Sequence, residues 1–181
     1  MQLGGKSYFW LEKTNVVSMI QEYQVSGFRV REYEELGSTN TEAERVGWSE
    51  LEDKMVILTY RQTQGRGQVG NHWESEPGKN ISMTVVFKPR ELPAGQQFAV
   101  SMVIALGACD FISRYVNECS VKWPNDIYVG DRKISGILIE HSIMGRYVGG
   151  SLCGIGVNIN QERFLSDAPN PVSLFQLIGE E

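Results

Sequence analysis

The sequence is poor in the residues that carry metal and redox chemistry, with 3 cysteines and 2 histidines in 181 residues. Cys109, Cys119 and Cys153 are odd in number, widely spaced and set among apolar neighbours. That pattern suits reduced core thiols and argues against a disulfide framework. His72 and His141 are too few and too far apart to build a protein metal cage, so any metal is expected to arrive with a substrate. Positive charge is also short: 17 Lys and Arg against 22 Asp and Glu give a formal charge of −5 and a pI near 5.2. A general nucleic-acid binder needs a basic surface and is disfavoured, although a local basic pocket for a nucleotide remains open. No run approaches the roughly 18 apolar residues of a membrane span, and no basic segment followed by an apolar one opens the chain. The expectation is a cytoplasmic protein with no membrane and no DNA partner. The glycine-rich stretches fit neither a Walker loop nor a dinucleotide fingerprint.

What is there suffices for one domain. With 41% hydrophobic and 22% charged residues, the composition is that of an ordinary globular chain, long enough for one buried core and short for two. The densest stretch runs over residues 121–140, where two runs rich in β-branched and aromatic residues flank Gly130-Asp131. A Gly-Asp pair in that setting signals a two-residue hairpin loop. The resulting register sets Tyr128 opposite Lys133, Ile127 opposite Ile134 and Asp126 opposite Ser135. Alternation then puts Asp126, Tyr128 and Lys133 on one face, and Ile127, Val129 and Ile134 on the other. Asp126 and Lys133 become diagonal neighbours about 7–8 Å apart at the backbone, a gap a lysine closes. A solvated ion pair on an edge hairpin is the plainer reading of the two. The crowding of Lys122, Trp123, Asn125, Asp126 and Lys133 favours a site.

Along the rest of the chain, the pattern predicts an apolar start at Tyr8, Phe9 and Trp10, a helix near residues 16–24, and a strand over 28–33. Thr39 followed by Glu42 has the spacing of a capping box, so a helix is expected to begin there and run toward Val46 and Gly47. Ser38, Thr39 and Asn40 either cap that helix or present hydroxyls, an amide and free backbone N–H groups to a polar ligand, and both can hold at once. Residues 54–60 read as a buried strand. It empties into a loop over 61–73 whose Gly65, Gly67 and Gly70 allow close backbone approach and whose Arg66 can clamp a carboxylate or phosphate. Such a loop is equally common on surfaces without function. Strand pattern resumes over 80–88. A helix over 96–117 is expected to turn Phe98, Met102, Ala105, Leu106, Cys109, Ile112 and Val116 to the sheet. A last strand over 146–160 puts Gly154, Gly156 and Asn158 on one face, where the missing side chains admit either a closely packed helix or a flat ligand. Pro171 opens a short final helix through Leu174, Leu177 and Ile178.

Five of these segments together resemble the biotin protein ligases: residues 37–40; residues 62–67 with Gly70 and Trp73; Lys-Trp-Pro-Asn-Asp at 122–126; residues 132–140; and residues 154–158. The resemblance runs in order over roughly residues 30 to 180. It implies an α+β fold akin to class II aminoacyl-tRNA synthetases, with a mixed, largely antiparallel sheet and helices packed on one side. It implies ATP-dependent activation of biotin to biotinyl-5′-adenylate, then transfer to a lysine of a biotin carboxyl carrier protein of acetyl-CoA carboxylase or a related carboxylase. By resemblance Ser38, Thr39, Asn40 and Gln62 hold biotin, with Gly65, Arg66, Gly67 and Gln68 in a loop closing over biotin and adenylate. Lys133 touches the biotin carboxyl and the α-phosphate, Gly136 lets the ligand pass, and Gly154 and Gly156 lie beside it.

Chemistry agrees with those roles. Bringing a carboxylate to a triphosphate juxtaposes anions, so the site needs Arg66, Lys133 and Lys122, with Mg²⁺ held mostly by the phosphates and near Asp126. Trp73 is the candidate platform for adenine, and Asn125 and Asn158 are candidates for binding the nucleotide. Asn125 and Asp126 could orient phosphate, metal or the attacking lysine, and face-sharing together with the family resemblance makes Asp126 the candidate base for that lysine. The loop departs from the family in having Gln68 and Asn71 where many relatives carry arginine, which bears on how tightly it holds phosphate. Residues 1–181 are expected to form one catalytic domain, without the DNA-binding domain that precedes it or the small domain that follows it in some relatives, and a homodimer is allowed. A lipoate or octanoyl ligase and a non-catalytic biotin- or nucleotide-binding module are the competing readings. The first needs a long apolar tunnel, and Arg66, Asp126 and Lys133 argue against the second.

Overall fold

The computed structural model describes residues 19–68, 70–166 and 168–179. Eight strands form one sheet: β1 Met19–Val25, β2 Phe28–Leu36, β3 Met55–Gln62, β4 Asn80–Phe87, β5 Cys119–Lys122, β6 Asp126–Val129, β7 Arg132–Met144 and β8 Tyr147–Asn158. Their order across the sheet is β1-β2-β3-β4-β8-β7-β6-β5. Among these described strands only β2 and β3 pair in parallel. The helix between them, α1 Thr39–Val46, is the crossover that a parallel pair requires. With α2 Phe98–Ile112 and α3 Leu174–Ile178, this is the expected α+β fold with a mixed, largely antiparallel sheet.

The helices, expected on one side, divide between the two faces. Leu152 of β8 and Val86 of β4 join Ala43 of α1 in one apolar cluster, whereas Ile155 and Val157 of β8 join Ala105 and Ile112 of α2 in another. Residues 152 and 155 have opposite parity on one strand, so they point to opposite faces. Both faces of the central strands are apolar and both need cover.

Two further expectations are corrected. The helix foreseen near residues 16–24 is strand β1 where it is described, while residues 16–18 and the apolar triplet at residues 8–10 lie outside the described residues. β1 is a hairpin partner of β2 through Ser26 and Gly27, both at positive φ (49° and 81°), the backbone that a tight hairpin turn demands. On α2, Ala105 and Ile112 are buried as expected together with Val100, but Phe98, Met102 and Leu106 are 41%, 50% and 63% exposed. A helix apolar on every side offers no period from which to choose the inward stripe. The helical stretch Ala94–Ile112, with a mean hydropathy of 1.4, is also long and apolar enough by composition to cross a membrane, contrary to the count of apolar runs.

The hairpin at the centre of the sequence forms β6 and β7. Gly130 takes φ +60° in the loop. Tyr128 pairs with Lys133 as expected, but an irregularity between Ile127 and Tyr128 shifts the rest, so Ile127 faces Ser135 and Asp126 faces Gly136. The extra residue leaves Asp126 and Lys133 on a shared face.

Candidate active site

The site is built on the face that carries α1. β7 and β8 pair with Gly136 opposite Gly156 and Leu138 opposite Gly154, so three of these four positions lack side chains and leave a trough. Its floor is occupied at both ends. A Cβ on Gly154 would stand 2.5 Å from Asn40 Oδ1, and one on Gly156 would stand 2.3 Å from Trp73 Cε2. A Cβ on Gly136 would stand 2.9 Å from the same indole. The glycines are therefore required by close approach: one admits the α1 corner and two admit the Trp73 ring. Between these walls lies a cavity of about 560 Å³.

The α1 corner is organised by hydrogen bonds that the capping-box pattern did not foresee. Ser38, in extended conformation, is the N-cap without a side-chain bond, and Thr39 is already helical. Glu42, foreseen as the reciprocal partner, instead holds Arg45. The free N–H of Thr39 donates to Gln62 Oε1 at 2.9 Å, so a side chain of β3 satisfies the helix end. Thr84 of β4 donates its hydroxyl to Asn40 Oδ1 at 2.5 Å and stands 2.8 Å from Thr39 Oγ1. Asn40 Nδ2 donates to Glu140 Oε2 at 2.8 Å and to the Leu138 carbonyl at 3.4 Å. Ser38, Thr39, Asn40 and Gln62 all line the cavity, but both ends of the Asn40 amide already have protein partners.

The glycine-rich loop folds back on itself. Trp73 N–H donates to the Gly65 carbonyl at 3.0 Å and Gly67 N–H to the Asn71 carbonyl at 3.0 Å, with Arg66 and His72 bridged. Arg66, Gly67, Gln68 and Trp73 line the cavity. Gly65 does not, and its role is local, since a Cβ there would meet the Trp73 carbonyl at 2.3 Å. Arg66 is anchored at its tip by Glu140 of β7 (2.5 Å) and Glu44 of α1 (3.3 Å). Burial lowers its pKa and these two carboxylates more than reverse that, so it ends above the usual guanidinium value.

At the opposite wall Lys133 Nζ lies 2.8 Å from Asp126 Oδ1, each side chain about 22% exposed, and 5.9 Å from the centre of the Trp73 ring. Asn125 ties the turn before β6 to β7: its Nδ2 donates to the Ile137 carbonyl at 2.7 Å, and Ile137 N–H returns a bond to the Asn125 carbonyl at 2.9 Å. Asn125, Asp126, Lys133, Gly136, Gly154 and Gly156 all face the cavity. Besides Gly65, two expected members do not. Lys122 shares the hairpin face, but its ammonium sits over the Tyr128 ring at 4.6 Å, 3.3 Å from the Tyr128 hydroxyl. Asn158 is buried and donates to the Val172 carbonyl at 3.0 Å.

Sequence reasoning gave no role to Glu44, Glu74, Thr84 or Glu140, nor to the cavity rim at Ser166, Ala168 and Pro169. Glu74 holds that rim by accepting the N–H groups of Leu165 and Ser166 at 2.9 and 2.7 Å and Gln161 Nε2 at 2.9 Å. The alternation that puts Gly136 and Leu138 on one face also points to Glu140. Nothing local marks the others.

Electrostatically the two cavity cations are each matched by acid: Lys133 by Asp126, Arg66 by Glu140 and Glu44. Such a cleft suits a ligand with anionic and polar parts that exchanges places with internal carboxylates. No cluster of three or more His, Cys, Asp or Glu able to hold a metal occurs among the described residues, so a divalent ion here would depend on oxygens supplied by a ligand, with Asp126 the nearest carboxylate to add.

Comparison with known proteins agrees with this geometry. Residues 33–158 match the model of the biotin/lipoate A/B protein ligase family. The bifunctional ligase/repressor BirA of Bacillus subtilis is 27% identical over 164 residues, covering 87% of this chain and 50% of that protein. The biotin–[acetyl-CoA-carboxylase] ligase of Paracoccus denitrificans is 33% identical over 124 residues, 67% of this chain and 51% of that one. The chain thus spans about half the length of these curated relatives. Among solved structures, biotin protein ligase from Aquifex aeolicus in complex with biotin and ATP superposes with a TM-score of 0.68 at 25% identity, covering 84% of this chain and 62% of that one. By its cavity, its sheet and a match across more than two thirds of its length, this chain belongs to the biotin/lipoate A/B protein ligase family.

Proposed function

We propose that this chain is the catalytic part of a biotin protein ligase. It joins the biotin carboxylate to the α-phosphorus of ATP, releasing pyrophosphate, and then passes the biotinyl group from the adenylate to a carrier-protein lysine with release of AMP. The carrier is the biotin carboxyl carrier subunit of acetyl-CoA carboxylase or of a related carboxylase. The observation that carries this reading is the convergence of the polar 38–40 corner, the Arg66 loop and Lys133 on one cavity.

The residues divide the work by position. Gln62 is held through its Oε1 by Thr39 N–H, so its amide nitrogen is left to donate to a ligand carbonyl, and the Ser38 and Thr39 hydroxyls offer acceptors to ring N–H groups. Lys133 is placed to neutralise carboxylate and α-phosphate together as Asp126 releases it. Preorganised positive charge in a partly desolvated cleft is worth several kcal/mol to such a step, and holding the two reactants in line adds a comparable amount without any covalent enzyme intermediate. Mg²⁺ brought by the nucleotide would add charge neutralisation on phosphate, with Asp126 the cavity-lining carboxylate that could help hold it. Once the α-phosphate occupies Lys133, Asp126 is free to accept a proton from the incoming lysine. Lys122, bound to Tyr128, takes no part.

The family also includes lipoate ligases. The polar corner of the cavity, with Ser38, Thr39, Asn40 and Gln62, favours a ligand with a ureido-like head over one with a dithiolane. Biotin-dependent exchange of pyrophosphate into ATP, with none when lipoate or octanoate replaces biotin, is the expected result. Exchange driven by lipoate alone would assign the chain to the other branch. Tight biotin binding without exchange would make it a binding module.

A further inference from the structure

One carboxylate behind the cavity wall, held against the lining residues Asn40 and Arg66, has no part in the reaction above. Glu140 lies on β7 on the same face as Gly136 and Leu138. Its Oε1 accepts Arg66 Nη2 at 2.5 Å and its Oε2 accepts Asn40 Nδ2 at 2.8 Å. A carboxylate paired with a guanidinium only accepts hydrogen bonds. The contact therefore decides which end of the Asn40 amide is which: nitrogen toward Glu140, oxygen toward Thr84. Thr84 has one hydroxyl hydrogen, committed to Asn40 Oδ1 at 2.5 Å. Only lone pairs remain for Thr39 Oγ1, 2.8 Å away. Thr39 must then give its own hydroxyl hydrogen to Thr84, so toward the cavity that it lines its hydroxyl can only accept.

We propose that Glu140 is the positioning residue of the ligand corner. Its acceptor-only carboxylate sets the direction of hydrogen bonding through Asn40 and Thr84 to Thr39. The same group anchors Arg66 of the glycine-rich loop. The corner is thereby fixed as an acceptor at Thr39 beside a donor at Gln62 before any ligand arrives, the complement of a carbonyl flanked by N–H groups. A neutral amide in place of this carboxylate, as in Glu140→Gln, would donate as readily as accept, and the direction would no longer be determined. This inference rests on the biotin reading given above and assigns the head-group selectivity of that site.

The test is biotin binding by titration calorimetry to the full chain and to Glu140→Gln, Asn40→Asp and the double variant, with thermal melting of all four. Glu140→Gln is expected to bind biotin roughly tenfold more weakly, the usual scale for losing a charge-assisted bond. In adenylate formation the effect should fall more on the KM for biotin than on kcat. Asn40→Asp sets two carboxylates face to face and should bind at least as poorly. The double variant restores one donor and one acceptor at the same contact, because the amide introduced on β7 donates to the carboxylate introduced on α1 while Thr84 still donates to that carboxylate's other oxygen. It should recover most of the affinity lost in Asn40→Asp, and its melting temperature should exceed that of Asn40→Asp, a comparison that needs no ligand. Wild-type affinity in Glu140→Gln, or a double variant no better than Asn40→Asp, overturns the proposal alone. A wild-type chain that binds no biotin overturns the reading of function along with it.

Discussion

Replacing Gly156 with alanine inserts a methyl group into the indole of Trp73. The new Cβ would stand 2.3 Å from Cε2, 2.5 Å from Nε1 and 2.7 Å from Cζ2, against roughly 3.5–4.0 Å for an ordinary carbon contact. The ring must therefore recede by about 1 Å or more. It has little freedom to do so, because Trp73 N–H is bonded to the Gly65 carbonyl and the Gly65 Cα packs against the Trp73 carbonyl. Overpacking of this kind costs about 1–3 kcal/mol, which for a domain of this size lowers the melting temperature by about 2–12 °C if the ring stays seated. If the ring leaves instead, and Trp73 is the adenine platform proposed from its sequence context, the same free energy appears as a rise of roughly 5- to 150-fold in the KM for ATP. Melting curves and pyrophosphate exchange at varied ATP separate the two outcomes. Gly107→Ala is the control: nothing lies within 4 Å of its added Cβ, and an exposed helical glycine replaced by alanine should stabilise by about 0.5–1 kcal/mol. Unchanged melting together with an unchanged KM for ATP in Gly156→Ala would refute the seating of Trp73 on the glycine trough.

Other consequences can be checked separately. Asp126→Asn should slow transfer from preformed biotinyl adenylate by roughly 10²- to 10⁴-fold, the range for loss of a general base; slowed adenylate formation with normal transfer would make Asp126 a counter-ion of Lys133 and nothing more. Burial raises the pKa of Glu74, but the bonds it accepts from Ser166, Leu165 and Gln161 outweigh that and hold it below the ordinary value of 4.5. Its contribution to stability is therefore complete above the ordinary carboxylate range and is lost as pH falls through the lower folded value. Glu74→Gln should flatten that acid limb in melting curves taken from pH 6 downward, and an unaltered limb would exclude Glu74 from holding the rim. Burial pushes the Cys153 thiol up to about 12, so iodoacetamide at neutral pH should label it only after unfolding, as read by peptide mass.

The parts of the site legible in the sequence are those set by local period. Alternation about a Gly-Asp loop was enough to bring Asp126 to Lys133, and the irregularity at Ile127 moved its partner from Ser135 to Gly136 without moving it off the face. Glycines at 154 and 156 announced a close approach, though not that Asn40 and Trp73 would be the groups approaching. What stayed hidden is non-local. Arg66 meets carboxylates 22 and 74 residues away in the chain, and Thr84 meets Asn40 across 44 residues; no spacing rule reaches that far. Lys122 pairs directly opposite Asp126, yet its ammonium turns to the Tyr128 ring and hydroxyl, a choice of partner that strand alternation does not reveal. β1 misled because its strand form depends on pairing with β2, which a single segment does not reveal.

The central claim is that Lys133 and the groups around it neutralise two mutually repelling anions long enough for them to react. It is tested most directly by the intact mass of a biotin carboxyl carrier domain after incubation with this chain, ATP, Mg²⁺ and biotin. The account predicts one added biotinyl group with the wild-type chain and next to none with Lys133→Met at matched folding. An unmodified carrier with the folded wild-type chain, or full modification by Lys133→Met, would contradict it.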